Sequence, residues 1–224
     1  MTTITDASFC NDSEIVHGEK EDNRSQQGYI VVIAPHDILH AQSAIVHPIC
    51  WSSTTIKRVC RSTFMAETFA MSRGTEQGAR VRAAVVDAQG KLNMHDWEAT
   101  AAAAMPHCWI TDCDSLYEHL VAPKLAQIDN KRLAIDLMAM RQFVRERNGD
   151  RTETIDTSCG DYPRWIDTST MITDPLTKVM KADRLITTMT TGVFDMTPTP
   201  ESLAIKSRNR ELRRTARQKS QEND

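Results

Sequence analysis

Apolar positions follow two rhythms along the chain, and the first of them is that of strands. Residues 1–8 alternate loosely and are rich in Thr and Ile. Gly28 to Ala34 (Gly-Tyr-Ile-Val-Val-Ile-Ala) is an unbroken run dominated by β-branched residues, as a buried strand requires. His47 to Ser53, with Trp51 inside it, predicts a third strand. Polar residues 11–27 and the segment 35–46 read as loops between these runs, so the three strands form an antiparallel meander.

The period changes at Ser62. From there to Val86 no proline occurs, and Phe64, Glu67, Thr68, Met71 and Thr75 share one helical face, with Ser62 or Thr63 placed to cap it. Gly90 closes this helix. Asp96 to Ala104 predicts a short second helix, His107 to Asp112 the next strand, and Ser115 to Val121 a helix stopped by Pro123. Residues 129–147 carry the strongest amphipathic stripe: Leu133, Leu137, Met140 and Val144. A strand near Arg164 to Asp167, another at Thr152 to Thr157, and a final helix from Met171 to Lys181 complete the order. The expected fold class is α/β, with a mixed sheet flanked by helices. The expected domain covers residues 1–190. Pro198, Pro200 and the charged, aromatic-free end predict a linker and a basic, disordered tail over 191–224.

Composition narrows the classes. A chain of 224 residues with 40% hydrophobic and 25% charged residues suits one globular domain with tails. The longest apolar runs, Tyr29 to Pro35 and Ala99 to Pro106, are too short to cross a bilayer, and no signal peptide is visible, so a cytoplasmic or nuclear location without membrane contact is expected. Six scattered cysteines form no CxxC pair, which excludes a zinc finger. The net charge of −3 is not that of a polycation, yet basic residues cluster locally. Lys57, Arg58 and Arg61 precede the first long helix, and Lys131, Arg132, Arg141, Arg145 and Arg147 recur along the later one. Such patches can hold phosphates.

Four carboxylates carry the candidate chemistry: Asp6, Glu67, Asp112 and Asp174. Two of the aspartates end short apolar runs, the third lies just before a helix-like stretch, and the glutamate lies inside a helix. Carboxylates at strand ends and on a facing helix can converge on one point. Their mutual repulsion then calls for cations, and an all-oxygen ligand set suits Mg²⁺ or Mn²⁺. The pattern predicts a two-metal phosphodiester site. Asp112 is preferred to Asp114 because it ends the apolar run and has Ser115 three residues later. Asp136, beside the apolar stripe, is expected to pair with Arg132 or Lys131.

The same residues sit in motifs that resemble the ribonuclease H domain of copia-type retrotransposon Pol polyproteins. Asp6-Ala7-Ser8 resembles that family's first-strand Asp-Ala-Ser, and Ser25-Gln26-Gln27-Gly28-Tyr29 its Ser-Gln-Ser-Gly-Tyr. Trp51-Ser52-Ser53 followed by Ser62-Thr63 and Ala66-Glu67 resembles its Trp-x-Ser and Ser-Ser-Thr-Glu-Ala-Glu. Asp112-Cys113-Asp114-Ser115 resembles Asp-Asn-Gln-Ser, and Thr173-Asp174-Pro175-Leu176-Thr177-Lys178 resembles Ala-Asp-Ile-Leu-Thr-Lys. The motifs occur in the family's order across residues 2–181, while 87–107 and 152–163 run longer than its usual connections.

The resemblance implies a ribonuclease H-like five-stranded sheet, three antiparallel strands and then parallel ones. It also implies hydrolysis of the RNA strand of an RNA–DNA hybrid, with Asp6, Glu67, Asp112 and Asp174 holding two Mg²⁺ or Mn²⁺ ions. Ser8 and Ser115 are expected at the RNA 2′-hydroxyls, Lys57, Arg58 and Arg61 on the hybrid backbone, and Lys178 on a phosphate or capping the last helix. A reverse transcriptase domain of the same polyprotein is the expected partner. An integrase-like nuclease would carry its glutamate last, whereas here it comes second. The alternative is a catalytically inactive remnant that folds and binds nucleic acid or a partner protein.

Overall fold

The chain was analysed as a computed structural model that describes residues 1–16, 19–124, 127–148, 160–205 and 207–208, with the backbone alone for 11–16, 19–23 and 145–148. Seven strands are present among these residues: β1 (Thr2–Val16), β2 (Glu19–Ile33), β3 (Ser43–Ile45), β4 (His47–Thr55), β5 (His107–Thr111), β6 (Asp161–Trp165) and β7 (Val193–Asp195). The helices are α1 (Thr63–Ala88), α2 (Trp97–Ala104), α3 (Asp114–Val121), α4 (Lys131–Asn148), α5 (Asp174–Thr177) and α6 (Asp183–Thr191). Five strands form one sheet in the order β4-β2-β1-β5-β6. β1, β2 and β4 are antiparallel, and β5 and β6 run parallel to β1. This is the mixed, helix-flanked sheet that the sequence predicts.

The sheet separates two cores. Ala7, Trp109 and the inner faces of α1, α3 and α4 make one, including the predicted stripe Leu133, Leu137, Met140 and Val144. Ile4, Ile30, Val32, Ile110, Ile166 and Ile172 make the other, with Phe194 and Met196. The last two residues lie past the expected domain end at 190. β7 pairs with β3, Ala44 opposite Phe194, so packed structure extends at least to Met196. Two other expectations change. Residues 11–16 and 19–27 are not a loop: β1 and β2 continue past the sheet as a two-stranded ribbon with register Val16↔Glu19. A ribbon outside the sheet needs no apolar alternation, so its polar composition imitates a loop. The predicted helix 171–181 is a single turn, because Met171 and Ile172 are buried ahead of it and Lys178 turns extended. The strand expected at 152–157 and the tail beyond 208 lie outside the described residues.

α1 sits unusually close to β1. Ser62 caps it, its hydroxyl accepting from the Met65 amide at 3.2 Å, and beside the apolar residues it gives to the core the helix buries Glu67, Gly74, Thr75, Gly78 and Arg82. A methyl group placed on Gly74 would lie 2.5 Å from the Thr5 methyl, and one on Gly78 2.3 Å from Thr3 Oγ1 and 2.5 Å from the His107 ring. One turn further on, Arg82 reaches Asp161 of β6 at 2.9 Å with both residues fully buried. Beside this pair, Trp109 donates its indole N–H to His107 Nδ1 at 3.1 Å, which leaves Nε2 to donate to Thr3 Oγ1 at 2.7 Å. Burial keeps His107 neutral and lowers its pKa from 6.5 to about 4, although Asp161 opposes the shift.

Gly78→Ala is expected to cost about 1–3 kcal/mol by overpacking, seen as a lower melting temperature that the exposed Arg80→Ala on the same helix does not show. Below pH 6.5 the unfolded chain takes up a proton that folded His107 refuses, so His107 removes stability as pH drops from 6.5 to about 4. Thermal melts across that window should show the wild type losing stability relative to His107→Gln as pH falls, a comparison that cancels the opposite contribution of the buried carboxyls whose pKa is raised.

Candidate functional site

β1 and β5 run side by side, with Ile4 opposite Ile110 as the last registered pair. Two residues further along come Asp6, within β1, and Asp112, just past β5, so the parallel register itself brings Asp6 alongside Asp112 at the carboxyl end of β5. That is where open α/β sheets bind ligands. The loop carrying Asp112 is pinned from β6, since Trp165 donates its indole N–H to the Asp112 carbonyl at 3.0 Å. The Thr168 hydroxyl bonds the Asp112 carboxylate.

Asp6 lies on the face of β1 that looks toward α5. Its partner across the β1–β2 ladder is Gly28, and a methyl group there would lie 2.9 Å from Leu176 Cβ and 3.0 Å from the Thr177 methyl. Only glycine lets α5 approach so closely. The approach delivers three groups to Asp6: Thr177 donates its hydroxyl to Asp6 Oδ2, Asp174 comes alongside, and Lys178 bonds both acids. The Lys178 ammonium donates to Asp174 Oδ1 and lies 3.4 Å from Asp6 Oδ1. Carboxylate oxygens of Asp6, Asp112 and Asp174 all fall within 4.8 Å of one another.

Glu67 comes from the second turn of α1 and stands beside this triad rather than inside it. It is 4% exposed, its carboxylate accepts from the Ala7 amide, and its Oε2 has no hydrogen-bond partner. Burial pushes Glu67 well above the usual carboxylate range, and the charges of Asp6 and Asp112 push it further. Burial likewise raises Asp6 to about 7; Lys178 and Thr177 oppose this, while Asp174 and Asp112 add to it. Burial works against the Lys178 ammonium too, but Asp6, Asp174 and Asp112 outweigh it and hold the proton more firmly than on a free lysine.

A crowd of buried acids with an orphaned oxygen fits a hard cation with oxygen ligands. Asp6, Asp112 and Asp174 present such ligands within reach of one ion, and Glu67 offers a further oxygen at the edge.

The structure sorts the remaining predicted residues. Asp114 is exposed on α3, away from the triad. Ser8, expected at a 2′-hydroxyl, is buried at 1% exposure. Ser115 is exposed in the first turn of α3. Lys57, Arg58 and Arg61 are exposed in the loop between β4 and α1. Lys57 and Arg58 border a cleft of about 470 Å³ against Phe69 and Arg73, and all three border a wider one of about 1180 Å³ against the start of α4. Arg58 is already engaged, 5.0 Å above the Phe69 ring and 3.2 Å from Asp136, so Asp136 pairs across to this loop. Arg141 leaves the basic patch altogether: it is buried and donates to the carbonyls of His119 and Ala122. Lys178 contacts acids rather than a free phosphate surface. Sequence reasoning missed Thr177, Gly28 and the Arg82–Asp161 pair. For Thr177 the signal was its place one residue before Lys178.

No family model matches the chain, and no curated protein matches it. Solved structures similar to it include two ribonucleases H. One is ribonuclease H1 from the halophilic archaeon Halobacterium salinarum, 10% identical, with a TM-score of 0.42 over 79% of this chain and 92% of that one. The other is the N-terminal ribonuclease H domain of a Mycobacterium tuberculosis protein, solved as a fusion with maltose-binding protein. It is 10% identical, with a TM-score of 0.39 over 85% of this chain and 94% of that one. No helix among the described residues is long and apolar enough to cross a membrane.

Glu67→Gln removes one buried like charge without changing shape. The metal-free variant is expected to melt a few degrees higher than wild type, and the rise in melting temperature expected of the wild type with Mg²⁺ should shrink or vanish. Calorimetric melts with and without Mg²⁺ check both.

Proposed function

We propose that the chain is a retrotransposon-derived ribonuclease H that hydrolyses the RNA strand of RNA–DNA hybrids, with Asp6, Glu67, Asp112 and Asp174 as its metal-binding carboxylates. One observation carries the reading. Acids from β1, the end of β5 and α5 offer oxygens within 4.8 Å of one another although Asp112 and Asp174 add to the cost of burying Asp6, and Glu67 from α1 is buried beside them against the charges of Asp6 and Asp112. A fold tolerates such repulsion where the site has work to do.

The residues then divide the labour. Asp6, central to the cluster, would serve both cation positions, with Glu67 and Asp112 on one side and Asp174 on the other. Bound Mg²⁺ or Mn²⁺ would supply an activated water and neutralise charge on the leaving 3′-oxygen. Thr177 and Thr168 hold the Asp6 and Asp112 carboxylates in position. Lys57, Arg61 and Arg73 border the clefts beside α1 and suit phosphates of the hybrid backbone. Ser115 is exposed where a 2′-hydroxyl contact is expected, and such contacts distinguish RNA from DNA. The ordered motifs extend the reading to its setting, beside a reverse transcriptase domain of a copia-type polyprotein.

A second reading has its own observation. Lys178 already neutralises Asp6 and Asp174, as it would in a relic that no longer takes metal and only binds nucleic acid or protein.

A labelled RNA–DNA hybrid incubated with the protein and Mg²⁺ separates the two. The expected result is cleavage of the RNA strand in the hybrid alone, leaving 5′-phosphate and 3′-hydroxyl ends, and its loss in Asp6→Asn. A wild type that binds the hybrid but cuts nothing with Mg²⁺ or Mn²⁺ favours the relic.

A further inference from the structure

The Lys178 ammonium bonds one particular pair of acids. Its partners are Asp6 Oδ1, at 3.4 Å, and Asp174 Oδ1. Asp112 takes its bond from Thr168 and Glu67 from the Ala7 amide, and Glu67 keeps a buried oxygen without any partner. The cluster therefore has two unlike sides. The Asp6–Asp174 side is held by a built-in cation, and the Asp6–Glu67–Asp112 side is not.

We propose that Lys178 is a displaceable gate on the Asp6–Asp174 cation position, so that two divalent ions bind in unequal steps; this rests on the two-ion reading above. An ammonium and a divalent ion cannot share the same two oxygens, because like charges at such spacing repel strongly in a partly buried site. A first ion on the Glu67 side meets no competitor. A second must expel Lys178 before it can use Asp174.

The lysine is built to leave. It is one-third exposed, and it follows a one-turn helix where the backbone has already become extended, so its four-carbon stem can swing outward while α5 stays docked. Thr177, one residue earlier, is buried and continues to hold Asp6 during that swing. Once outside, the ammonium is positioned for a phosphate oxygen of bound nucleic acid. Substrate and the second ion then favour the same lysine position and strengthen each other's binding. Without them, the gate keeps Asp6 and Asp174 together against their repulsion.

The test is calorimetric titration of the whole chain with Mn²⁺, comparing wild type with Lys178→Met, Lys178→Gln and Asp174→Asn, each also melted with and without Mn²⁺. The wild type is expected to show one tighter and one weaker event. In Lys178→Met the weaker event tightens by roughly three- to thirtyfold, the span from an exposed ion pair to a charge-assisted buried one, while the tighter event stays put. The Mn²⁺-induced rise in melting temperature grows accordingly. Asp174→Asn loses the weaker event. If both wild-type events persist and the second is unchanged or weakened in Lys178→Met, the gate is wrong and the two-ion reading stands. A single event in every protein overturns the gate and reduces the reading to one ion. No event in any of them overturns both. Should Lys178→Met fail to fold, Lys178→Gln keeps a donor for Asp174, and an unmoved second event there is equally decisive against the gate.

Discussion

Everything at the site depends on how closely one helix can lie on one strand. Glu67 meets Asp6 and Ala7 because α1 descends along β1 with only hydrogen atoms between them at Gly74 and Gly78. A single methyl group at either place would lift the helix and carry Glu67 away from the aspartates. The face that makes this contact is therefore not the apolar stripe of an ordinary surface helix; it runs through Glu67, Met71, Gly74, Gly78 and Arg82. The Arg82–Asp161 pair anchors the far end, in a setting where breaking one partner would leave an uncompensated buried charge.

The same device recurs on the other side of the sheet. Gly28, across the ladder from Asp6, lets the single turn of α5 come down on β2, and so aims Thr177 and Lys178 at the carboxylate. Asp6 is thus approached from both faces through residues without side chains. The resulting cluster is electrostatically costly, as the raised affinity of Asp6 and Glu67 for protons shows. Packing that has no connection with the acids, in the two cores on either side of the sheet, offsets that cost.

Much of this was legible in the sequence, for definite reasons. Strands built from β-branched runs, the helix capped by Ser62 and the stripe Leu133, Leu137, Met140 and Val144 all bury what their periodicity says they should. Asp6 and Asp112 were readable because both stand at the ends of apolar runs, and the parallel register does the rest. The ribbon was not readable, since strands that leave the sheet lose the alternation that marks them. Nor were Ser8 and Arg141, because a serine beside a candidate acid and an arginine on a basic helix look exposed until burial is known. β7 was hidden for a similar reason: three residues between a helix and a proline-bearing segment carry no period of their own, and Phe194 finds its place only through β3.

That ribbon has a consequence for how the protein behaves at high concentration. Beyond Ser8 and Ser25, β1 and β2 pair with no other strand among the described residues, as β5 leaves β1 at Ile4, β4 leaves β2 at Gln26, and Ile56 takes the Ser25 carbonyl. Both outer edges then expose backbone donors and acceptors of the kind to which a foreign strand adds. The segment is rich in Asp12, Glu14, Glu19, Glu21 and Asp22. With only Lys20 and Arg24 to offset them, these acids leave the segment with a net negative charge, so two copies repel at low salt and neutral pH, while high salt or acid removes that protection.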